Sequence, residues 1–247
     1  MPLYEGAAEH YARGRRDYPA ELGEAVRDAL GLDGSGRLLD VGCGPGKLTT
    51  LLAPHFREAV GVDAELDMIT TARRIRPDLG WRHLRAEDLP ADLGVFRAVT
   101  FAQSFHWMDQ PIVAAKVRPM IEPGGHWVHV KACTHAGDTG DVPWDAIEEL
   151  VHRHLGDTHL PGAKKSGEED VMLAAGYRGP VRITVPWDEV ITRSVDEVVS
   201  AVFSLSWASP YLFGGNAERF ERDLRGLLGQ GPFQEQMYDL GIVIWSP

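Results

Sequence analysis

The segment Leu38-Leu39-Asp40-Val41-Gly42-Cys43-Gly44-Pro45-Gly46-Lys47-Leu48-Thr49 constrains the fold more than any other part of the chain. It reads as a buried strand that runs into three alternating glycines and then into a helix. A parallel strand followed by a crossover helix needs a second strand beside it, so this segment predicts a βαβ unit within a larger sheet. Glycine at 42, 44 and 46 permits positive φ and lets a ligand approach bare backbone. A helix starting near Gly46 aims its unpaired N–H groups, and the positive end of its dipole, at whatever lies above the loop. Asp63 follows Gly42 by 21 residues and ends the apolar run Ala59-Val60-Gly61-Val62. An acidic residue about 20 positions after such a loop, at the tip of the neighbouring strand, is placed to hold a ribose diol. The pattern therefore implies a nucleoside-bearing cofactor. Its glycines run G-x-G-x-G, which differs from the G-x-G-x-x-G of dinucleotide sites, and Lys47 lacks the following Ser or Thr of a phosphate-binding loop.

Short β-type runs alternate with helical stretches around this segment. Arg37–Val41, Ala59–Asp63, Trp81–Arg85, Phe96–Ala102 and His126–Lys131 read as strands, and Lys47–Pro54, Glu65–Arg76 and Gln110–Met120 as helices. This alternation predicts an α/β fold, a mostly parallel sheet with helices on both faces. The turn Glu122-Pro123-Gly124-Gly125 separates the last of these helices from the fifth strand. Beyond His135 the chain turns polar over Ala136–Val142 and returns as an amphipathic helix over Trp144–Leu155. The glycine- and lysine-bearing stretch Pro161–Gly167 reads as a mobile loop, followed by a short helix to Ala175 and a strand at Val181–Val185. Helices near Val195–Leu205 and Ala217–Leu228 precede a last strand at Tyr238–Trp245. The Phe213-Gly214-Gly215 break and the apolar Trp207, Pro210, Tyr211, Leu212 and Phe213 read as the core of a lid beside an acceptor pocket. One domain of residues 1–247 is expected: a cofactor core of about 20–135, an acceptor lobe from 1–20 and about 136–230, and the last strand at about 238–245.

The 247 residues, 44% of them hydrophobic, suffice for one full-size domain. A formal charge of −11 repels phosphate backbones and anionic lipid surfaces, so neither nucleic acid nor membrane is expected as a partner. Cys43 and Cys133 are too few for a disulfide scaffold and lack the spacing of a zinc site. The start carries no apolar stretch of a signal peptide, and no window approaches the roughly 20 apolar residues of a membrane span. A cytoplasmic protein is expected. His152, His154 and His159 cluster, but helical geometry puts the first two on different faces and no Asp, Glu or Cys register completes a ligand set, so no metal is expected. Arg73, Arg74, Arg76, Arg82 and Arg85 form a basic patch that reads as a solvated face.

With these motifs in order, the chain resembles the class I S-adenosylmethionine-dependent methyltransferases. Asp40-Val41-Gly42-Cys43-Gly44-Pro45-Gly46 is similar to their first motif and Gly61-Val62-Asp63 to their ribose-binding second. Ala86-Glu87-Asp88-Leu89-Pro90 resembles the adenine-side third motif, and Val117-Arg118-Pro119-Met120-Ile121-Glu122-Pro123-Gly124-Gly125 the turn into the fifth strand. Together these span about residues 37–131. Ala102-Gln103-Ser104-Phe105-His106-Trp107-Met108-Asp109 resembles the A-x-x-x-H-W-F-D segment of a small-molecule subgroup. That subgroup also carries an N-terminal Y-x-x-x-R-P-x-Y-P, matched here by Tyr11 to Pro19 with Arg16 in place of the first proline.

The resemblance implies a Rossmann-like seven-stranded sheet with an added acceptor-binding lobe, S-adenosylmethionine as cofactor and S-adenosylhomocysteine as product. It implies that Gly42, Gly44 and Gly46 shape the loop around the methionine part, that Asp63 holds the ribose, and that Ala64, Met68 and Glu87 flank adenine. Asp40, Leu48, Ala86, Gln103 and Trp107 complete the implied cofactor site. Tyr11 and Arg15, four apart and on one helical face, would belong to a piece folded over the cofactor, with Arg15 available to the methionine carboxylate. Arg85 stands where the family commonly has a small or acidic residue, and an arginine cannot accept a hydrogen bond from the adenine amino group. That role passes to Glu87 or to a nearby backbone carbonyl.

The transferred methyl is already activated by its sulfonium, so a protein of this kind mainly aligns the acceptor and excludes water. His106, at a strand tip, is the candidate catalytic residue, either as a general base or as a ring packed on the cofactor. His135 is a second candidate. The expected reaction is methyl transfer to a small organic molecule, with secondary metabolism as a setting. The alternatives are an RNA or protein methyltransferase and a non-catalytic S-adenosylmethionine-binding regulator. No motif codes for the acceptor, for O, N, C or carboxylate methylation, or for the oligomeric state.

Overall fold

The structure, a computed structural model, describes residues 6–89, 91–156 and 167–247. Most of the Pro161–Gly167 loop, together with Pro90 and His159, lies outside the described residues. In chain order the elements are α1 (Ala8–Gly14), α2 (Ala20–Leu30), β1 (Arg37–Val41), α3 (Lys47–Leu52), β2 (Glu58–Asp63), α4 (Leu66–Ile75), β3 (Gly80–His83), β4 (Phe96–Ala102), α5 (Gln110–Val117) and β5 (Ile121–Lys131). They continue as β6 (Thr139–Gly140), α6 (Trp144–Leu155), α7 (Glu168–Ala174), β7 (Arg178–Val185), β8 (Val190–Arg193), α8 (Val195–Phe203), α9 (Pro210–Phe213), α10 (Ala217–Leu228), β9 (Phe233–Gln236) and β10 (Leu240–Ser246). No helix among the described residues is long and apolar enough to cross a membrane.

The chain divides into two compact units. The sheet unit comprises the described parts of 18–132, 164–186 and 239–247, and its seven strands run in the order β3-β2-β1-β4-β5-β10-β7. The first five are mutually parallel, and β10 lies antiparallel between β5 and β7. The chain steps outward from β1 to β3 and then, restarting at β4, in the opposite direction. Right-handed crossovers therefore put α3 and α4 on one face and α5 on the other. Each central strand is covered on both sides, which is why β1 and β2 are almost uninterrupted apolar runs. Under α5, the Phe101 ring stacks on Trp127 with centroids 4.0 Å apart, and Tyr177 donates its hydroxyl proton to the Ala114 carbonyl at 3.1 Å.

Two details depart from the sequence reading. Glu122-Pro123-Gly124-Gly125 lies within β5 and does not precede it. Ile121 already pairs with Phe96, and the next partners are His126 and Ala98, so the four residues bulge out of one continuous strand. The strand expected at Val181–Val185 begins at Arg178 and, with α7, belongs to the sheet unit although it falls within the range expected for the lobe. Its partner β10 explains this: Ile242, Val243 and Ile244 are all buried, and a strand apolar on both faces needs neighbours along both edges.

The accessory unit comprises the described parts of 1–17, 133–163 and 187–238. Phe213 and Phe220 stack with centroids 4.0 Å apart, Phe203 meets Phe220 edge-on, and Trp207 and Leu212 pack at the margin of this cluster. A three-stranded antiparallel sheet, β6-β9-β8, accompanies the helices. Its strands are two to four residues long and mostly polar, so no alternating apolar pattern marks them in the sequence.

Candidate functional site

The glycine loop between β1 and α3 has φ of 68° at Gly42, 55° at Gly44 and 86° at Gly46. Two of these glycines are also required by close neighbours. A Cβ on Gly42 would collide with Ser104, and one on Gly46 would enter the Trp81 ring. The loop is fastened to β2 by the Gly42 and Cys43 N–H groups, which donate to the Val62 carbonyl at 2.8 and 3.0 Å. Asp63 completes the fastening. Its Oδ2 accepts the Gly44 N–H and its Oδ1 the Glu65 N–H, each at 2.8 Å. Both oxygens already hold backbone, and a carboxylate has about four lone-pair positions, so two remain for a diol. Burial, the largest influence, raises the Asp63 pKa, while the two N–H donors lower it.

Asp40 lies beneath this loop and is fully buried. It accepts hydrogen bonds from the hydroxyls of Thr49 at 2.6 Å and Thr100 at 2.7 Å, tying β1 to α3 and to β4. Its role is therefore to support the loop from below and not to present a carboxylate to a ligand. Burial raises its pKa from 3.8 to about 6, and the charge of Asp63 adds to the rise. The folded protein thus keeps a proton that the unfolded chain releases near the ordinary value. The stabilisation is complete below pH 3.8 and is lost as the pH rises through 6. Asp40→Asn is expected to flatten the pH dependence of unfolding free energy between these values by roughly 3 kcal/mol relative to the parent. Urea titrations of both proteins across that range measure it, and parallel curves would refute it.

The carboxyl end of β4 forms the second half of the site. Ser104 donates from Oγ to the Val41 carbonyl at 2.6 Å, joining this end to the glycine loop. Gln103 is the one described non-glycine residue with positive φ, 52°, a strained conformation of the kind that functional sites retain. Next to these residues opens a cavity of ≈ 200 Å³, lined by Gln103, Phe105 and His106 after β4, by His129 and Lys131 of β5 and by Glu168. It sits at the carboxyl ends of parallel strands, where open α/β sheets bind ligands. His106 is half-buried, with its ring 4.8 Å from that of Trp107, which is 37% exposed.

His129, Lys131 and Glu168 were not among the residues selected from sequence. His129 Nε2 accepts the Trp127 indole N–H at 2.6 Å, and burial, reinforced by the charge of Lys131, lowers its pKa to about 3. The signal was present as Trp127-x-His129, since residues two apart in a strand share a face.

The other expected residues are placed as follows. Ala64 is exposed next to Asp63, whereas Leu48 and Met68 are each only 2% exposed and contribute to the core beneath the site. Ala86 is buried at the start of a short 3-10 turn. Glu87 Oε1 accepts the Asp109 N–H at 2.8 Å and Oε2 lies 3.4 Å from Arg85, so its carboxylate holds the β4–α5 connection. Tyr11 and Arg15 belong to the accessory unit and meet there, with the guanidinium 4.7 Å from the ring centroid. Arg15 also bonds Ser204 Oγ, the Ser204 carbonyl and His135 Nδ1 at 2.8, 3.0 and 3.0 Å, so most of its donors are engaged within that unit. In the basic patch, Arg76 pairs with Asp78 and Arg73 bonds the Trp81 carbonyl. His154 pairs with Asp223 at 3.0 Å, and His152 lies 3.8 Å from Glu148.

Known proteins agree with this geometry. The family model described as a methyltransferase domain matches residues 38–125. An uncharacterized methyltransferase of Mycobacterium tuberculosis is 34% identical over 122 residues, 49% of this chain and 49% of that protein. The trans-aconitate 2-methyltransferase of Azoarcus is 34% identical over 115 residues, 42% of this chain and 44% of that protein. The chain thus spans about half the length of the curated relatives it matches. The crystal structure of the YcgJ protein of Bacillus subtilis shares the fold, with a TM-score of 0.54, 18% identity and coverage of 91% of this chain and 97% of that one. Residues 38–125 thus match a methyltransferase domain, and the strand order and glycine loop are those expected from the resemblance to the class I S-adenosylmethionine-dependent methyltransferases.

Proposed function

We propose that this protein transfers a methyl group from S-adenosylmethionine to a small organic molecule. The observation that carries the proposal is the left-handed glycine loop clasped to Asp63, with a cavity at the neighbouring β4 and β5 ends. The residues fit the cofactor: the loop offers bare backbone, Asp63 retains acceptor capacity for a diol, and Ala64 is exposed at the β2 tip. When bound, the cofactor supplies a methyl group activated on sulfur. The chain's own contribution is to orient the acceptor in line and keep water away. The cavity suits a small molecule, and the net charge of −11 weighs against a polyanion. Similarity to the trans-aconitate 2-methyltransferase supports a second, narrower reading in which the acceptor is a small molecule of the trans-aconitate kind.

Calorimetric titration with S-adenosylmethionine and S-adenosylhomocysteine tests the cofactor, and no binding at millimolar ligand would sink the proposal. Mass-spectrometric screening of small-molecule pools for the gain of one methyl group tests the acceptor class, with tRNA as a separate sample. His106→Ala distinguishes the two roles considered for this ring. A fall in kcat of about 100-fold or more with unchanged cofactor affinity marks a base, whereas full activity leaves the ring as packing beside Trp107.

A further inference from the structure

The cavity at the β4 and β5 ends contains one group whose hydrogen-bonding sense is fixed by its neighbour. An indole N–H can only donate, so His129 Nε2, 2.6 Å from Trp127 Nε1, must accept. A neutral imidazole carries one proton, which is therefore on Nδ1. That nitrogen makes no hydrogen bond among the described residues and is not among the buried polar atoms left without a partner. The ring is held by more than this bond, since Phe105 meets it edge-on with centroids 5.2 Å apart and Phe101 tilts against it at 5.9 Å. Lys131 and Glu168 contribute one positive and one negative charge to the lining of the cavity. The cavity thus has no excess negative charge to attract a cation, and its ordered polar group is a donor.

We propose that His129, oriented by Trp127, is a binding residue for the methyl acceptor, donating from Nδ1 to an acceptor oxygen. The cavity accordingly takes small molecules that present an oxygen lone pair, either an uncharged carbonyl or hydroxyl or a carboxylate, and rejects cationic amines. This rests on the methyltransferase reading above and names the kind of molecule that would occupy the site. His129 is separate from His106. His129 orients the acceptor and takes up no proton, whereas His106 is the ring considered above as base or as packing beside Trp107.

The test uses the whole protein saturated with S-adenosylhomocysteine and three probes of one frame: acetophenone, benzoate and benzylamine. Saturation-transfer NMR is expected to detect acetophenone or benzoate on the wild type and to detect no benzylamine. The stronger of the first two tells whether the oxygen is uncharged or anionic. His129→Phe is expected to weaken that probe about tenfold or more, the size of one hydrogen bond lost in a desolvated pocket, and His129→Asn, whose amide can donate from the Nδ1 position, to restore most of it. Nitrogen-15 NMR of the wild type reads the tautomer independently, with Nδ1 protonated at pH 7. The proposal is overturned by an Nε2-protonated or cationic ring, by benzylamine binding as well as the oxygen probes, by unchanged affinity in His129→Phe, or by no probe binding at all. Failure of S-adenosylhomocysteine to bind would instead strike the methyltransferase reading, so the two failures are distinguishable.

Discussion

Arg193→Met is expected to lower the unfolding free energy by roughly 3–5 kcal/mol, the cost of leaving one charge of a buried pair without its partner. Arg193 and Glu235 are each 2% exposed and lie 2.7 Å apart, between neighbouring strands β8 and β9 of the accessory unit. The arginine also donates to the Gly14 carbonyl at 2.8 Å and the Thr134 carbonyl at 3.4 Å, so its loss leaves two backbone acceptors unmet. Glu235 in turn accepts from the Gly137 N–H and from the Trp144 indole. This one pair therefore fixes α1, the strand after residue 187 and the start of α6 in a single arrangement. The double variant Arg193→Met/Glu235→Met is expected to be more stable than Arg193→Met alone, because no unpaired charge remains buried. Calorimetric unfolding of the parent and the variants decides the matter. An additive cycle, in which the second substitution brings no recovery, would contradict the assignment.

Asp63→Ala is expected to weaken S-adenosylhomocysteine binding by roughly 1–3 kcal/mol, or about ten- to a hundredfold, the range for hydrogen bonds to a charged group. The effect has two sources. Two acceptor positions for the ribose diol disappear, and the Gly44 N–H loses the carboxylate that holds the loop in its left-handed path. Asp63→Asn separates the sources, since one amide oxygen can keep the Gly44 bond while the amide nitrogen can no longer accept. Binding intermediate between the parent and Asp63→Ala is therefore expected for it. Calorimetry at fixed pH measures all three proteins, and affinity unchanged in Asp63→Ala would remove this residue from the site.

Much of the cofactor half was legible from sequence because its signals are local. The strand, three glycines and helix occupy twelve consecutive residues, and each glycine's need for positive φ follows from the tight turn. The position of Asp63 followed from the length of one βαβ unit. The resemblance supplied the number of strands, which the alternation of elements alone did not. What stayed hidden was the use of polar groups. Asp40 looked like a ligand-facing carboxylate, yet Thr100, 60 positions away, buries and binds it. Glu87 was read only as an adenine neighbour, yet it also accepts the Asp109 amide, 22 positions away. Arg15 looked free for a carboxylate, yet Ser204, 189 positions away, holds it.

The same division runs through the whole chain. By itself the sequence determined the α/β class, the glycine loop and the acidic residue at the β2 tip, since each depends on backbone geometry within a few residues or one strand–helix–strand step. Only the tertiary structure decided that β7 completes the main sheet, that β6, β8 and β9 form a second one, and that His129 stands in a cavity wall with its Nε2 accepting the Trp127 indole N–H. Those outcomes depend on which distant residues come to lie against a buried polar group or an apolar strand edge, and that is set by packing and desolvation and not by local propensity.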